Sequence, residues 1–299
     1  MTTRRDFLAG TAALGAGALA SARASSARPA ELFTISLAEW SLHRALRGGE
    51  LDHLDLAQKA RSFGIDAVEY VNQFFMERAP DFAYLEEMKR RAEDAGVTSV
   101  LIMIDGEGDL ADADDARRRK AVERHFKWAV AARYLGCHSI RVNAAGTGEP
   151  EEQMKRAADS LNALAGLAEP YQVNVLVENH GGISSNGAWL AGVMRLADNP
   201  RVGTLPDFGN FEVAKDQWYD RYQGVAELMP FAKAVSAKSH AFDAAGEETR
   251  TDYLRMLRIV VGAGYHGRLG IEFEGDGISE DEGIKRTLEL LLRVRAKLA

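Results

Sequence analysis

The sequence predicts an α/β protein built as a single (β/α)8 TIM barrel. Three observations point there. Strand-like and helix-like stretches alternate eight times along the chain, glycines repeatedly end a helix and lead straight into a strand, and ligand-type side chains stand at the ends of four successive late strands. A strand-then-helix alternation is the signature of a parallel sheet. Of the 299 residues, a 24-residue leader leaves 275, which with 46% apolar composition suits one barrel and one sizeable core. An open doubly wound sheet is the competing architecture, but no Gly-rich dinucleotide loop follows the first strand.

Taken in order, the chain opens on Thr3-Arg4-Arg5-Asp6-Phe7-Leu8, a Gly- and Ala-rich apolar run from Ala9 to Ala20, and Ala20-Ser21-Ala22-Arg23-Ala24. This is the pattern of a twin-arginine export signal over residues 1–24, with the barrel over residues 25–299. The apolar run is shorter than the roughly 20 residues a membrane span requires, so no stable span is expected after cleavage. The expected location is periplasmic or exported through the twin-arginine route. Losing Arg4, Arg5, Arg23 and Asp6 removes three positive charges and one negative, taking the formal charge from −7 to about −9. So acidic a chain is not expected to bind nucleic acid. The single cysteine, Cys137, cannot form an intrachain disulfide and reads as a buried strand residue rather than a reactive thiol.

Strands are predicted at residues 33–38, 65–71, 98–104, 138–144, 173–179, 202–207, 233–240 and 268–274. Between them lie amphipathic helices such as Leu51–Phe63, Tyr84–Ala95, Asp112–Tyr134 and Glu151–Ala168, with Pro150 well placed near a helix start. Phe63-Gly64-Ile65, Ala95-Gly96-Val97, Leu135-Gly136-Cys137 and Ala263-Gly264-Tyr265 mark helix ends, since glycine supplies the left-handed turn and the next residue restarts extended chain. In Val173-Asn174-Val175-Leu176-Val177-Glu178 the alternation packs the valines under helices and turns Glu178 inward.

Barrel active sites form at the C-terminal strand ends, and there stand Glu178, Asp207, His240 and Glu272, spaced by 29, 33 and 32 residues. Three converging carboxylates would repel one another and raise one another's pKa values, so one divalent metal ion is their natural partner. Oxygen-rich ligands with one imidazole favour Mn2+ or Mg2+, with Co2+ or Zn2+ as alternatives. Alternation in Ser139-Ile140-Arg141-Val142-Asn143 points Arg141 and Asn143 inward, where Arg141 would neutralise buried acids or bind substrate. Lys238 shares the inward face of its strand and is expected one layer deeper than His240, as a carboxylate partner or an electrophilic aid to a substrate oxygen. His180, Asn210 and Glu274 lie just past the ligand positions as candidate substrate contacts. Glu69 and Tyr70, with Trp40 in the first loop, are expected to form the opposite wall.

Val177-Glu178-Asn179-His180, Leu205-Pro206-Asp207-Phe208-Gly209-Asn210, Ala237-Lys238-Ser239-His240 and Gly270-Ile271-Glu272-Phe273-Glu274-Gly275 give the chain a family likeness. It resembles the sugar phosphate isomerase/epimerase group of the xylose isomerase-like TIM barrels, with the sharp motifs confined to the second half. The resemblance implies metal ligands at Glu178, Asp207, His240 and Glu272, with Glu178 and Glu272 also serving as the acid/base pair. Asn210 departs from the group, whose sugar epimerases often carry histidine there.

The chemistry such a site suits is proton abstraction beside a carbonyl, through an enediolate stabilised by the metal, with two carboxylates moving the proton. Return to the other face epimerises a sugar or keto-sugar, and return to the neighbouring carbon isomerises it. Loss of a β-leaving group instead makes the enzyme a lyase or dehydratase on keto-sugars, 3-keto-glycosides or inososes. A non-enzymatic exported sugar-binding barrel is the reading from a different class, and a homo-oligomer is compatible with all of these. A DNA-repair endonuclease would want a histidine-rich multi-metal site and a basic groove, and the sequence offers neither.

Overall fold

A computed structural model describes residues 31–299, and the predicted export signal lies outside the described residues. Eight parallel strands form one sheet: β1 (Thr34–Ala38), β2 (Ala67–Val71), β3 (Thr98–Met103), β4 (Ser139–Val142), β5 (Asn174–Glu178), β6 (Val202–Leu205), β9 (Val235–Ser239) and β10 (Arg268–Phe273). A short hairpin, β7 (Glu212–Ala214) and β8 (Gln217–Trp218), stands apart from the sheet. The strand order β6-β5-β4-β3-β2-β1-β10-β9 leaves β6 and β9 at the ends, and parallel bridges Thr204 to Ala232 and Asp207 to Ser236 join those ends. There the Ser236 amide donates to the Pro206 carbonyl at 2.9 Å and the Phe208 amide to the Ser236 carbonyl at 3.1 Å. The sheet is therefore a closed barrel, as the alternation predicts.

The helices are α1 (His43–Gly48), α2 (Leu56–Ser62), α3 (Phe82–Ala95), α4 (Asp115–Leu135), α5 (Pro150–Ala168), α6 (Gly187–Ala197), α7 (Arg221–Leu228), α8 (Tyr253–Gly262) and α9 (Glu280–Leu298). Their starts are set by side chains that accept the orphan amides of the first turn: Asp81, Asp114, Asn186, Asp220, Asp252 and Ser279. Pro150 occupies the first turn of α5. Gly96 and Gly136 end α3 and α4 with φ of 64° and 83°, the left-handed conformation that the sequence pattern implies.

Burial follows the strand alternation. Val173, Val175 and Val177 join the large cluster between strands and helices, together with Leu161, Leu164 and Val193. Leu176 belongs to a second cluster, with Ala67, Val71, Leu101, Met103 and Leu205, that fills the barrel interior. Each such side chain stabilises the fold by about 1.5–3 kcal/mol when fully buried. Several boundaries differ from the sequence expectation. Residues 51–55 are a loop and a single 3-10 turn (His53–Asp55) rather than the start of α2, because Asp52 caps that turn through the Leu54 amide. Continuous ladder pairing ends at Leu205, Ser239 and Phe273, so His240 and Glu274 lie in the loops just beyond their strands and Asp207 is held by its isolated bridge to Ser236.

Candidate functional site

The C-terminal rim of the barrel gathers Glu178 from β5, Asp207 from the loop after β6 and Glu272 from β10. All three are buried, and each offers a carboxylate oxygen within 4.8 Å of the others. Their remaining atoms are fixed by neighbours. Asp207 Oδ1 accepts the Gly209 and Asn210 amides at 2.8 Å each, so the turn Asp207-Phe208-Gly209-Asn210 wraps its own carboxylate. The Asn179 side chain clamps the same turn, accepting the Asp207 amide at 2.8 Å and donating to the carbonyls of Asp207 and Asn210 at 3.1 and 3.0 Å. Asn210 Nδ2 donates to Glu178 Oε1 at 2.9 Å, and Ser236 Oγ donates to Glu272 Oε2 at 2.9 Å.

Two cations offset this acid cluster. Arg141 Nε lies 2.8 Å from Glu178 Oε2 without the alignment of a hydrogen bond, and its Nη1 donates to Asp105 Oδ1 at 2.9 Å. Lys238 Nζ sits 3.0 Å from Glu272 Oε1, 3.0 Å from Glu274 Oε2 and 4.0 Å from Asp207 Oδ2. Burial raises the pKa of Glu178 above the usual carboxylate range; Arg141 opposes this, and Glu272 adds to it. Burial likewise raises that of Asp207, against the pull of Lys238. For Lys238, burial disfavours the charge, but Asp207, Glu272, Glu274 and Glu178 together outweigh it and hold the ammonium well above its ordinary pKa.

Residues 57–294 match a family model described as a xylose isomerase-like TIM barrel. The chain belongs to the xylose isomerase-like TIM-barrel family. Among solved structures this barrel is similar to a 3-keto-D-glucoside 4-epimerase from E. coli, apo form, with TM-score 0.65, 15% identity, and coverage of 81% of this chain and 94% of that one. It is similar to a D-psicose 3-epimerase in the presence of D-fructose, with TM-score 0.65, 12% identity and coverage of 88% and 99%. It is also similar to a probable 3-DHS dehydratase from Bacillus anthracis, with TM-score 0.63, 15% identity and coverage of 87% and 99%. No curated protein matches the sequence.

Within this xylose isomerase-like barrel, the expected four-ligand set comes together in three of its members. His240 stands outside the cluster: its Nε2 is 3.9 Å from Glu274, and its backbone amide is held by Glu248 at 3.2 Å. The reason is local. Lys238 is the residue of β9 in register with Glu272, and His240, one residue past the strand, lies beside the Lys238 stem against Gly209. Burial, then Arg250 and Lys238, push the His240 pKa down to about 4, so the ring is neutral.

Of the expected substrate contacts, Asn210 and Lys238 touch the acid cluster directly. Glu274 pairs with Lys238 and accepts a hydrogen bond from Trp40 Nε1, which brings the first loop to the site. Asn143 is one step removed, donating to Asp105 Oδ1 at 2.7 Å. His180 is exposed at the rim. Glu69 is not a wall residue: it lies buried within the barrel, accepting from Ser36 Oγ, with its other oxygen unpartnered beside Gly270. Tyr70 faces the opposite way, into the helix layer, bonded to Ser99. Asp105 and Ser236 are the contributors the sequence reading missed. Asp105 ends Leu101-Ile102-Met103-Ile104-Asp105, the same apolar-run-then-acid pattern that marks Glu178, and that signal was available.

Proposed function

We propose that this barrel is an exported, divalent-metal-dependent sugar isomerase or epimerase that moves a proton beside a substrate carbonyl. The observation that carries the proposal is the trio Glu178, Asp207 and Glu272, buried and with carboxylate oxygens within 4.8 Å of one another. A divalent cation fits these donors, because Asp207 Oδ2 is a buried oxygen with no hydrogen-bond partner and faces two further buried carboxylates. The three grouped donors are all carboxylate oxygens, which favours Mn2+ or Mg2+, with Co2+ or Zn2+ as alternatives. Bound there, the ion would supply polarisation of a substrate carbonyl and offset charge that builds on its oxygen.

The protein's own groups supply the proton transfers. Glu178 is the carboxylate placed to take the proton, and Asn210 fixes one of its oxygens in orientation. Glu272 approaches from the other end of the ligand arc, so a substrate carbon held between the two would have one carboxylate on each side. Lys238 remains charged and, with Glu272, Glu274 and Asn210 around its three N–H bonds, holds these groups in position. The similar epimerases support return of the proton to the other face, and the similar dehydratase supports elimination from the same kind of intermediate as the second reading. The twin-arginine pattern supports action outside the cytoplasm on an unphosphorylated sugar or keto-sugar.

The test is Glu178→Gln and Glu272→Gln, each of which keeps size and one oxygen while removing the base. Each should lose turnover by roughly 10²- to 10⁴-fold, the usual worth of a positioned acid or base, with metal occupancy measured alongside. Parent-rate turnover by either variant at full occupancy overturns the proposal. Turnover that is independent of added metal would favour other chemistry, and metal binding without any turnover would favour the sugar-binding reading.

A further inference from the structure

A cavity of about 500 Å3 opens beside the acid cluster, lined by Gly181, Gly182, Gly209, Asn210, Glu212 and Trp218 among others. It shares Asn210 with the cluster, since that side chain donates to Glu178 and accepts from Lys238 at 3.2 Å. It shares Gly209 too, whose Cα faces the Lys238 stem: a Cβ there would come within 2.9 Å of Lys238 Cδ. One wall is the turn after β5, where Gly181 and Gly182 adopt φ of 78° and 59°, so that no side chain projects into the space. The other wall is the β7–β8 hairpin, which carries Trp218 at 58% exposure.

That hairpin is anchored firmly. Phe211 at its base is fully buried against Gly224, the Tyr219 amide donates to the Phe211 carbonyl at 2.8 Å, and the Tyr219 hydroxyl donates to Glu227 at 2.9 Å. Its turn is pinned by the Asp216 amide on Glu212 at 2.9 Å. A large aromatic ring is thus held in water on a braced element, above a glycine floor and beside polar side chains. An aromatic face with hydroxyl-seeking groups around it is complementary to a flat ring with polar edges.

We propose that this cavity is a subsite for a second ring of the substrate, and that the enzyme acts on a glycoside rather than a free monosaccharide. The reacting sugar lies over Glu178 and Glu272, and its aglycone or second sugar lies across Gly181 and Gly182 against Trp218. This rests on the proton-transfer reading for the reacting ring, but its test is one of binding and does not need turnover.

Affinities of methyl and phenyl α- and β-D-glucopyranosides are measured by calorimetry for the Mn2+-loaded mature protein and for Trp218→Ala. At least one phenyl glucoside should bind ten-fold or more tightly than the methyl glucoside of the same anomer. Trp218→Ala should erase that advantage while leaving the methyl glucoside unchanged. Trp218→Phe, which keeps an aromatic face, should retain most of it. Equal affinities for phenyl and methyl glucosides, no binding of any of the four, or an advantage that survives in Trp218→Ala each overturn the subsite. A change of oligomeric state in Trp218→Ala with no change in the phenyl advantage assigns the ring to a protein contact and also overturns it. Failure here leaves the Glu178 and Glu272 rate test untouched.

Discussion

Glu69 offers the sharpest physical test of the barrel's electrostatics, because its carboxyl is buried among β-strands with one hydrogen bond. Ser36 Oγ donates to Oε1, Oε2 has no partner, and burial, with the charges of Glu272 and Glu178, raises its pKa from 4.5 to about 7. The folded protein therefore holds a proton on Glu69 that the unfolded chain has already released. Stability contributed by that proton is complete below the unfolded value near 4.5 and is lost as pH rises towards about 7. At about 1.4 kcal/mol per pH unit, the span from 4.5 to about 7 corresponds to roughly 3 kcal/mol. Glu69→Gln keeps the acceptor for Ser36 and removes the titration. Relative to the parent, its unfolding free energy should improve between pH 5 and pH 8 by roughly 2–3 kcal/mol, measured by urea denaturation at each pH. A variant whose difference from the parent is the same at pH 5 and pH 8 refutes the reasoning, because the carboxyl would then titrate alike in both states.

Three further expectations concern the metal, Lys238 and the export signal read from the sequence. Chelation should lower the melting temperature by roughly 5 °C or more relative to protein in saturating Mn2+, and Asp207→Ala should abolish that difference; identical melting curves for both forms of the parent would count against a metal site. Lys238→Met removes the ammonium from among Glu272, Asp207 and Glu274, so the metal-free variant should be destabilised by roughly 3 kcal/mol while its Mn2+ affinity rises; unchanged stability would show that the ion pairs contribute little. Arg4→Lys with Arg5→Lys should trap the protein in the cytoplasm, and unaltered location in fractionated cells would remove the export assignment.

The fold was legible in the sequence because a barrel repeats its signal. Valines on one face of β5 and Leu176 with Glu178 on the other specify both layers, and Gly96 and Gly136 stop their helices at the expected residues. Glu178, Asp207 and Glu272 were legible for the same reason, each closing an apolar run. What escaped the reading depends on side-chain length and on contacts across the barrel. Lys238 and His240 have the same strand parity, and the sequence pattern does not tell which of them pairs with Glu272. Glu69 reads as a rim acid by its position in β2, yet a register shift between Val68 and Glu69 and the absent side chain of Gly270 let it settle inside the barrel. The β7–β8 hairpin has two- and three-residue strands, too short for any periodicity to show.

The most direct test of the central claim is deuterium incorporation. Mn2+-loaded mature protein is incubated in D2O with a panel of keto-sugars and 3-keto-glycosides, and carbon-bound deuterium is followed by NMR. Proton transfer by Glu178 and Glu272 predicts solvent deuterium on the carbon beside the carbonyl of at least one panel member, lost in Glu178→Gln and Glu272→Gln. Turnover of a panel member with its carbon-bound hydrogens fully retained, or incorporation that persists undiminished in both glutamine variants, would contradict it.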